Sequence, residues 1–334
     1  MVSSLQRTKS KDNPSTGKKQ QWSKYLSSKL ARGLHSHNPN SKLKQSYMNT
    51  IFCTSVKLYD GEKVRTTYCK NRWCPTCNRI RTAININRYA PEISKFGYPY
   101  FVTLTRPTVS IEELPDQIEN MEKSWRQLYN YGKDKRKAPY AEGIRLRGIR
   151  KMECTLRPDG KYHYHYHVIV DGMNEAYWLR SEWLKRNPDA DKKAQDIRPA
   201  NAGSLMEVFK YQTKSFTDTG DKPHFERLDE LYNVMRGKRT LAAFGIKVPK
   251  DMELEEFDLQ SQDQKELQLQ LGNQESIWTW DDNVYDWVNK ETGELMINEP
   301  IPERVKKIAG EANSEQKNEA SILLQKGKKV PPDS

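Results

Sequence analysis

The spacing of apolar and polar positions changes several times along this chain, and each change marks an element. Residues 98–105 (YPYFVTLT) are a nearly continuous apolar run of strand length, which predicts a buried strand. Between 111 and 131, Ile118, Met121, Trp125 and Leu128 recur at three- and four-residue intervals and predict a helix that packs on a core. The period becomes two over 149–156 and 162–170, the signature of paired strands. Between them stands Arg157-Pro158-Asp159-Gly160, which suits a type I turn closed by a left-handed glycine and sets Arg157 opposite Lys161. Counting back from that turn puts Glu153 across from His165 and Lys151 across from His167, on one face. A slip of one residue would turn Glu153 to the other side. Residues 204–216 (SLMEVFKYQTKSF) predict a further helix. Its Leu205, Val208, Phe209 and Gln212 lie on one side, and Glu207, Lys210, Tyr211 and Lys214 on the other.

The second hairpin strand carries the most specific signal, His163, His165 and His167 at alternate positions, so that all three imidazoles project from one face. The chain has six histidines and half of them fall here. Neighbouring neutral imidazoles add little to a sheet and are good ligands for a divalent cation. The plain alternative is a solvated histidine ladder on an exposed strand. Glu153, carried to the same face by the turn, would add the carboxylate that a metal site needs.

A formal charge of +12, with eight Trp and seventeen Tyr, points to a polyanionic partner whose bases can be stacked upon, and so to nucleic acid. No run of about 18 apolar residues suggests a membrane span, and the N-terminus lacks the apolar stretch of a signal peptide, so a soluble, cytoplasmic protein is expected. In that compartment five cysteines do not suggest a disulfide framework. Cys69-x4-Cys74-x2-Cys77 instead has the spacing of a zinc knuckle. Cys53 is the most economical fourth thiolate, brought close if the segments on either side of Gly61 form a small ribbon. Cys154 reads as core, and a redox pair at Cys74 and Cys77 is the weaker alternative.

Four regions follow. Residues 1–45 hold one acidic residue, Asp12, against ten Lys or Arg and predict a basic disordered arm, either solubilising or touching DNA. Residues 46–95 form the cysteine module, 96–250 an α+β catalytic domain, and 251–334 a C-terminal extension, partly disordered, with an aromatic patch from Trp278 to Trp287.

Three ordered motifs resemble the rolling-circle plasmid replication initiators of the HUH endonuclease superfamily. They are Phe101-Val102-Thr103-Leu104-Thr105, then His163-Tyr164-His165-Tyr166-His167-Val168, then Glu207-Val208-Phe209-Lys210-Tyr211-Gln212-Thr213-Lys214. The preceding cysteine knuckle is similar to that of one branch of these proteins, and the resemblance covers about residues 50–250. It implies an antiparallel sheet of ferredoxin- or RRM-like type with flanking helices, the histidine strand central and the tyrosine helix across it. It further implies His165 and His167 as metal ligands, with His163 at a position that is also histidine in the family. Tyr211 would be the nicking nucleophile, joined to a 5′ phosphate and leaving a 3′ hydroxyl, with Lys210 and Lys214 offsetting charge. Glu207 would activate water to end the round. Mg²⁺ or Mn²⁺ suits the histidine site, because the ion must keep positions open for phosphate oxygens. The implied partners are single-stranded or extruded plasmid origin DNA and a host helicase and polymerase, in a protein that a homodimer would suit. Tyr164 departs from the small residue or proline expected there, but faces the other side of the strand. The rival readings are an HUH transposase or relaxase, and a zinc-dependent nucleic-acid-binding regulator without catalysis.

Overall fold

The structure, a computed structural model, describes residues 16–59, 64–209, 224–247 and 276–309. In chain order its elements begin with α1 (Thr16–His37), α2 (Lys44–Ile51), β1 (Val56–Tyr59), β2 (Val64–Thr66) and α3 (Pro75–Ile93). The central part holds β3 (Pro99–Thr105), α4 (Leu114–Lys133), α5 (Ala138–Ala141), β4 (Gly148–Leu156), β5 (Tyr162–Asp171) and α6 (Met173–Arg186). There follow β6 (Ile197–Pro199), α7 (Ala202–Phe209), α8 (Phe225–Val234), β7 (Leu241–Phe244), β8 (Ser276–Asp281), β9 (Asp286–Asn289) and α9 (Glu303–Ile308).

The larger sheet is antiparallel throughout, in the order β6-β3-β5-β4-β7, with the histidine strand β5 at its centre. Alternation along β5 divides the two sides. Tyr162, Tyr164, Tyr166, Val168 and Val170 are buried against Met121, Trp125 and Leu128 of α4 and Leu179 and Trp183 of α6. Ile169 lies on the opposite side with Phe101 of β3 and Ile149 of β4, covered by Val208 and Phe209 of α7 and Tyr89 and Ile93 of α3. The histidines share that second side. The turn between β4 and β5 forms as its residues dictate: the Arg157 amide donates to the Lys161 carbonyl at 2.8 Å, and Gly160 takes φ +78°. Glu153 therefore pairs with His165 and Lys151 with His167.

The smaller sheet, in the order β2-β1-β8-β9, joins two parts of the chain more than 200 residues apart. The ribbon expected ahead of Cys69 is present as β1–β2, while Gly61 lies outside the described residues. The C-terminal aromatic patch does not form a separate extension. Trp280 and Trp287 pack with Tyr25 of α1 and Val305 of α9, and the Trp287 indole donates to the Thr54 carbonyl at 2.7 Å, one residue past Cys53.

The expectation of a disordered arm over residues 1–45 is overturned from Thr16 onward, where α1 runs for 22 residues with one face fully buried. That face is half polar, which is why no apolar periodicity announced it. Gln21 donates to the carbonyls of Tyr285 and Glu299, Lys24 to the Ile51 carbonyl, and Ser27 lies 2.9 Å from Thr76 Oγ1. Each of these three side chains finds a partner on a distant segment, which offsets the cost of burying it. Burial also pushes the Lys24 ammonium down to about 8. Of the helix expected at 204–216, the part to Phe209 is present and begins two residues earlier, at Ala202.

Candidate functional site

Two clusters of metal-ligating side chains form among the described residues. In the first, the sulfurs of Cys53, Cys69, Cys74 and Cys77 converge. Cys53 and Cys77 are 3.7 Å apart, Cys69 and Cys77 3.6 Å, and Cys53 and Cys74 3.8 Å. A tetrahedral ion with bonds of ~2.3 Å requires sulfur edges of about 3.8 Å, so the set fits zinc. Outer donors complete it: Thr50 Oγ1 donates to Cys69 Sγ at 3.3 Å, Ser27 Oγ lies 3.4 Å from Cys74 Sγ, and the Cys69 amide reaches Cys53 Sγ at 3.5 Å. Cys154 stands apart, buried in β4 among Tyr162 and Tyr164, and burial raises its thiol far above the usual value.

The second cluster is Glu153, His165 and His167, whose ligand atoms all lie within 4.8 Å of one another in a buried position. His165 Nε2 and His167 Nε2 are 3.1 Å apart, close to the ~3.0 Å separating neighbouring positions of an octahedral ion with bonds of about 2.1 Å. Glu153 Oε2 lies 3.7 Å from His167 Nε2. Burial lowers the His165 imidazole to about 4 despite the pull of Glu153, which leaves it neutral and able to bind metal at physiological pH. Burial alone would raise the Glu153 carboxyl, but Lys151, His165 and His167 together outweigh it and hold the group below its usual range, as an anion. Two imidazoles and one carboxylate form a donor set that fits a divalent cation.

His163 is not part of this convergence. Its Nε2 is hydrogen-bonded to Thr105 Oγ1 and its ring stacks on His165 at 4.9 Å, which suits it to holding the neighbouring imidazole in place. Thr105 is itself clamped, its amide donating to Gln195 Oε1 and its carbonyl accepting from Trp183 and Gln195.

Glu207 approaches from α7, with Oε1 3.6 Å from His167 Nε2 and Oε2 3.3 Å from Arg198 Nη2. Lys210, Tyr211 and Lys214 lie outside the described residues. Two further contributors join the site: Lys151, which the hairpin register had set on this face without a role, and Arg198, which the sequence did not reveal. Lys151 Nζ donates to Glu153 Oε2 at 2.8 Å and to the Glu207 carbonyl at 2.9 Å, tying β4 to α7. Arg198 comes from the edge strand β6, and its guanidinium also lies over the Phe101 ring. For Lys151 a signal existed, since it alternates with Glu153 on the histidine face. Arg198 left none, because a three-residue strand has no readable period.

Fold and site together describe a protein with a central histidine strand, an acid-bearing helix laid over it and a four-thiolate centre ahead of it. The chain belongs to the replication protein family, whose match covers residues 62–292. It is similar to Protein rep of Lentilactobacillus hilgardii, with 25% identity over 255 residues, 67% of this chain and 79% of the relative. Protein rep of Staphylococcus aureus is 29% identical over 184 residues, covering 49% and 76% of the two chains, and that of Bacillus amyloliquefaciens 24% over 279 residues, covering 70% and 78%. No solved structure matches. Among the described residues, no helix is long and apolar enough to cross a membrane.

Proposed function

We propose that this replication protein is a plasmid initiator of the HUH type, which nicks single-stranded origin DNA through Tyr211 and later rejoins or releases it. The observation that carries the reading is the convergence of Glu153, His165 and His167 on one buried point, with Glu207 of α7 3.6 Å from His167. Tyr211 follows Phe209 by two residues, and Phe209 is anchored on this face by its stack with Tyr89. Glu153, His165 and His167 would hold a Mg²⁺ or Mn²⁺ ion, which supplies Lewis-acid polarisation of the scissile phosphate when bound.

The rest falls to the chain itself. The Tyr211 phenolic oxygen forms a bond to phosphorus, the bond from phosphorus to the 3′ oxygen breaks, and that oxygen leaves as a hydroxyl carrying the proton given up by the phenol. Lys210 and Lys214 offset charge on the non-bridging oxygens. Lys151, fixed between Glu153 and the Glu207 carbonyl, keeps α7 at a set height over the histidines. His163, held by Thr105, orients His165. Glu207 removes a proton from water in the hydrolysis that ends the round, and the water oxygen then displaces the Tyr211 oxygen from phosphorus.

The test is incubation of the full chain with single-stranded DNA from its own plasmid origin and Mn²⁺, resolved on a denaturing gel. The expected result is a covalent protein–DNA adduct that Tyr211→Phe abolishes. An adduct surviving in Tyr211→Phe would move the nucleophile elsewhere, and intact DNA across a metal series would favour a binding-only regulator.

A further inference from the structure

A cavity of about 270 Å³ opens beside the histidine face, between the knuckle turn, α2, strand β4 and the connection from α8 to β7. That volume is close to the lower end of small-ligand sites, with room for one nucleobase and not for a helix or duplex. Trp73 lines it, held by a stack on Tyr232 (centroids 5.6 Å, 15° between planes) and by an edge contact with Tyr47 at 5.0 Å. Lys70, Arg72, Lys151 and Arg236 line it as well, and the described lining residues include no carboxylate. A rigid indole wall selects a flat ring, and Lys70, Arg72 and Arg236 select an anion attached to it.

The cavity is also joined to the proposed reaction centre. Lys151 lines it and donates to Glu153, while Val208 lines it and is the neighbour of Glu207. A ligand that reaches both places must be a chain, and an unpaired strand with one base turned out meets that condition.

We propose that this cavity takes a single unpaired nucleotide of the origin strand close to the nicked phosphate, its base against Trp73 and its phosphate on Lys70, Arg72 and Arg236. The proposal rests on the reading above that the chain acts on single-stranded origin DNA. It makes the cysteine knuckle part of the origin reader, because Lys70, Arg72 and Trp73 all lie between the second and third cysteines.

The experiment measures binding of the full chain to a fluorescent single-stranded origin oligonucleotide in which one abasic site is moved a nucleotide at a time. One position is expected to weaken binding by about 5- to 150-fold relative to its neighbours, the range of a lost base stack. Ser46→Phe, which adds a ring to the cavity wall from α2, is expected to level that peak. Arg236→Ala, at an exposed position, is expected to lower the salt-dependence slope by about one. A flat abasic profile in the unaltered protein overturns the cavity assignment, and so does a peak that persists undiminished in folded Ser46→Phe. The covalent-adduct assay on the same oligonucleotides separates the two readings. A flat profile with an adduct defeats the cavity alone, a peak without an adduct defeats the nicking reading alone, and loss of both defeats both.

Discussion

Glu153 stands directly across the β4–β5 ladder from His165, and the same face carries its carboxylate to 3.7 Å from Nε2 of His167. An acid placed by strand register beside two buried imidazoles has a measurable role. Glu153→Gln keeps the shape and an acceptor for Lys151 but removes the charge. It is expected to lower Mn²⁺ affinity by at least ~10-fold, the smallest loss that even an outer-shell change at a metal site gives. Isothermal titration checks this, and unchanged affinity would take Glu153 out of the ligand set.

The four thiolates are expected to hold one zinc per chain, with Cys53→Ser lowering bound zinc and thermal stability together, since a structural zinc contributes folding energy directly. Cys154→Ala, in β4 and outside the four-sulfur cluster, is expected to leave zinc content unchanged although it opens a small core void. Metal analysis of the two purified variants decides the point. Equal zinc loss in both would mean that the spacing of the sulfurs is not a binding site.

Trp287 is fully buried and its indole donates to the carbonyl next to Cys53, so the C-terminal hairpin is expected to brace the zinc centre. Trp287→Ala should cost about 3–5 kcal/mol in urea unfolding. Trp287→Phe, which loses chiefly the hydrogen bond, should cost nearer ~1 kcal/mol. Zinc release to a chromogenic chelator should be faster in the alanine variant; equal rates would show that hairpin and zinc centre are uncoupled.

Burial lowers the Lys57 ammonium to about 7, with Arg79 adding to the shift and Asp286 opposing it, while its Nζ lies 3.3 Å from the Trp287 ring centre. The unfolded chain keeps this proton up to about pH 10.4. Between about pH 7 and 10 the unfolded state therefore binds more protons, and stability rises with pH by up to ~1.4 kcal/mol per unit. Lys57→Met is expected to remove that slope and to stabilise the protein most below pH 7. Parallel slopes in the two proteins would mean that Lys57 stays charged in the fold.

Much of the larger sheet was legible because its information is local. A period of two, a Pro-Asp-Gly turn and the arithmetic of a hairpin are enough to place Glu153, His165 and Lys151 on one face. The cysteine spacing was legible for a similar reason, as three of its four ligands lie within nine residues.

What the sequence by itself determined is therefore the set of groups that short-range geometry brings together: the histidine strand, its acid partner and the knuckle. The tertiary structure alone decided that α1 is a packed helix, that β1 pairs with β8, and that His163 turns to Thr105 while His165 and His167 meet Glu153. The physical reason is the range of the contacts. Gln21 and Lys24 on α1 look like solvent-facing residues until carbonyls from elsewhere in the chain receive them. Trp287 has no visible purpose until Thr54, 233 positions away, accepts its proton.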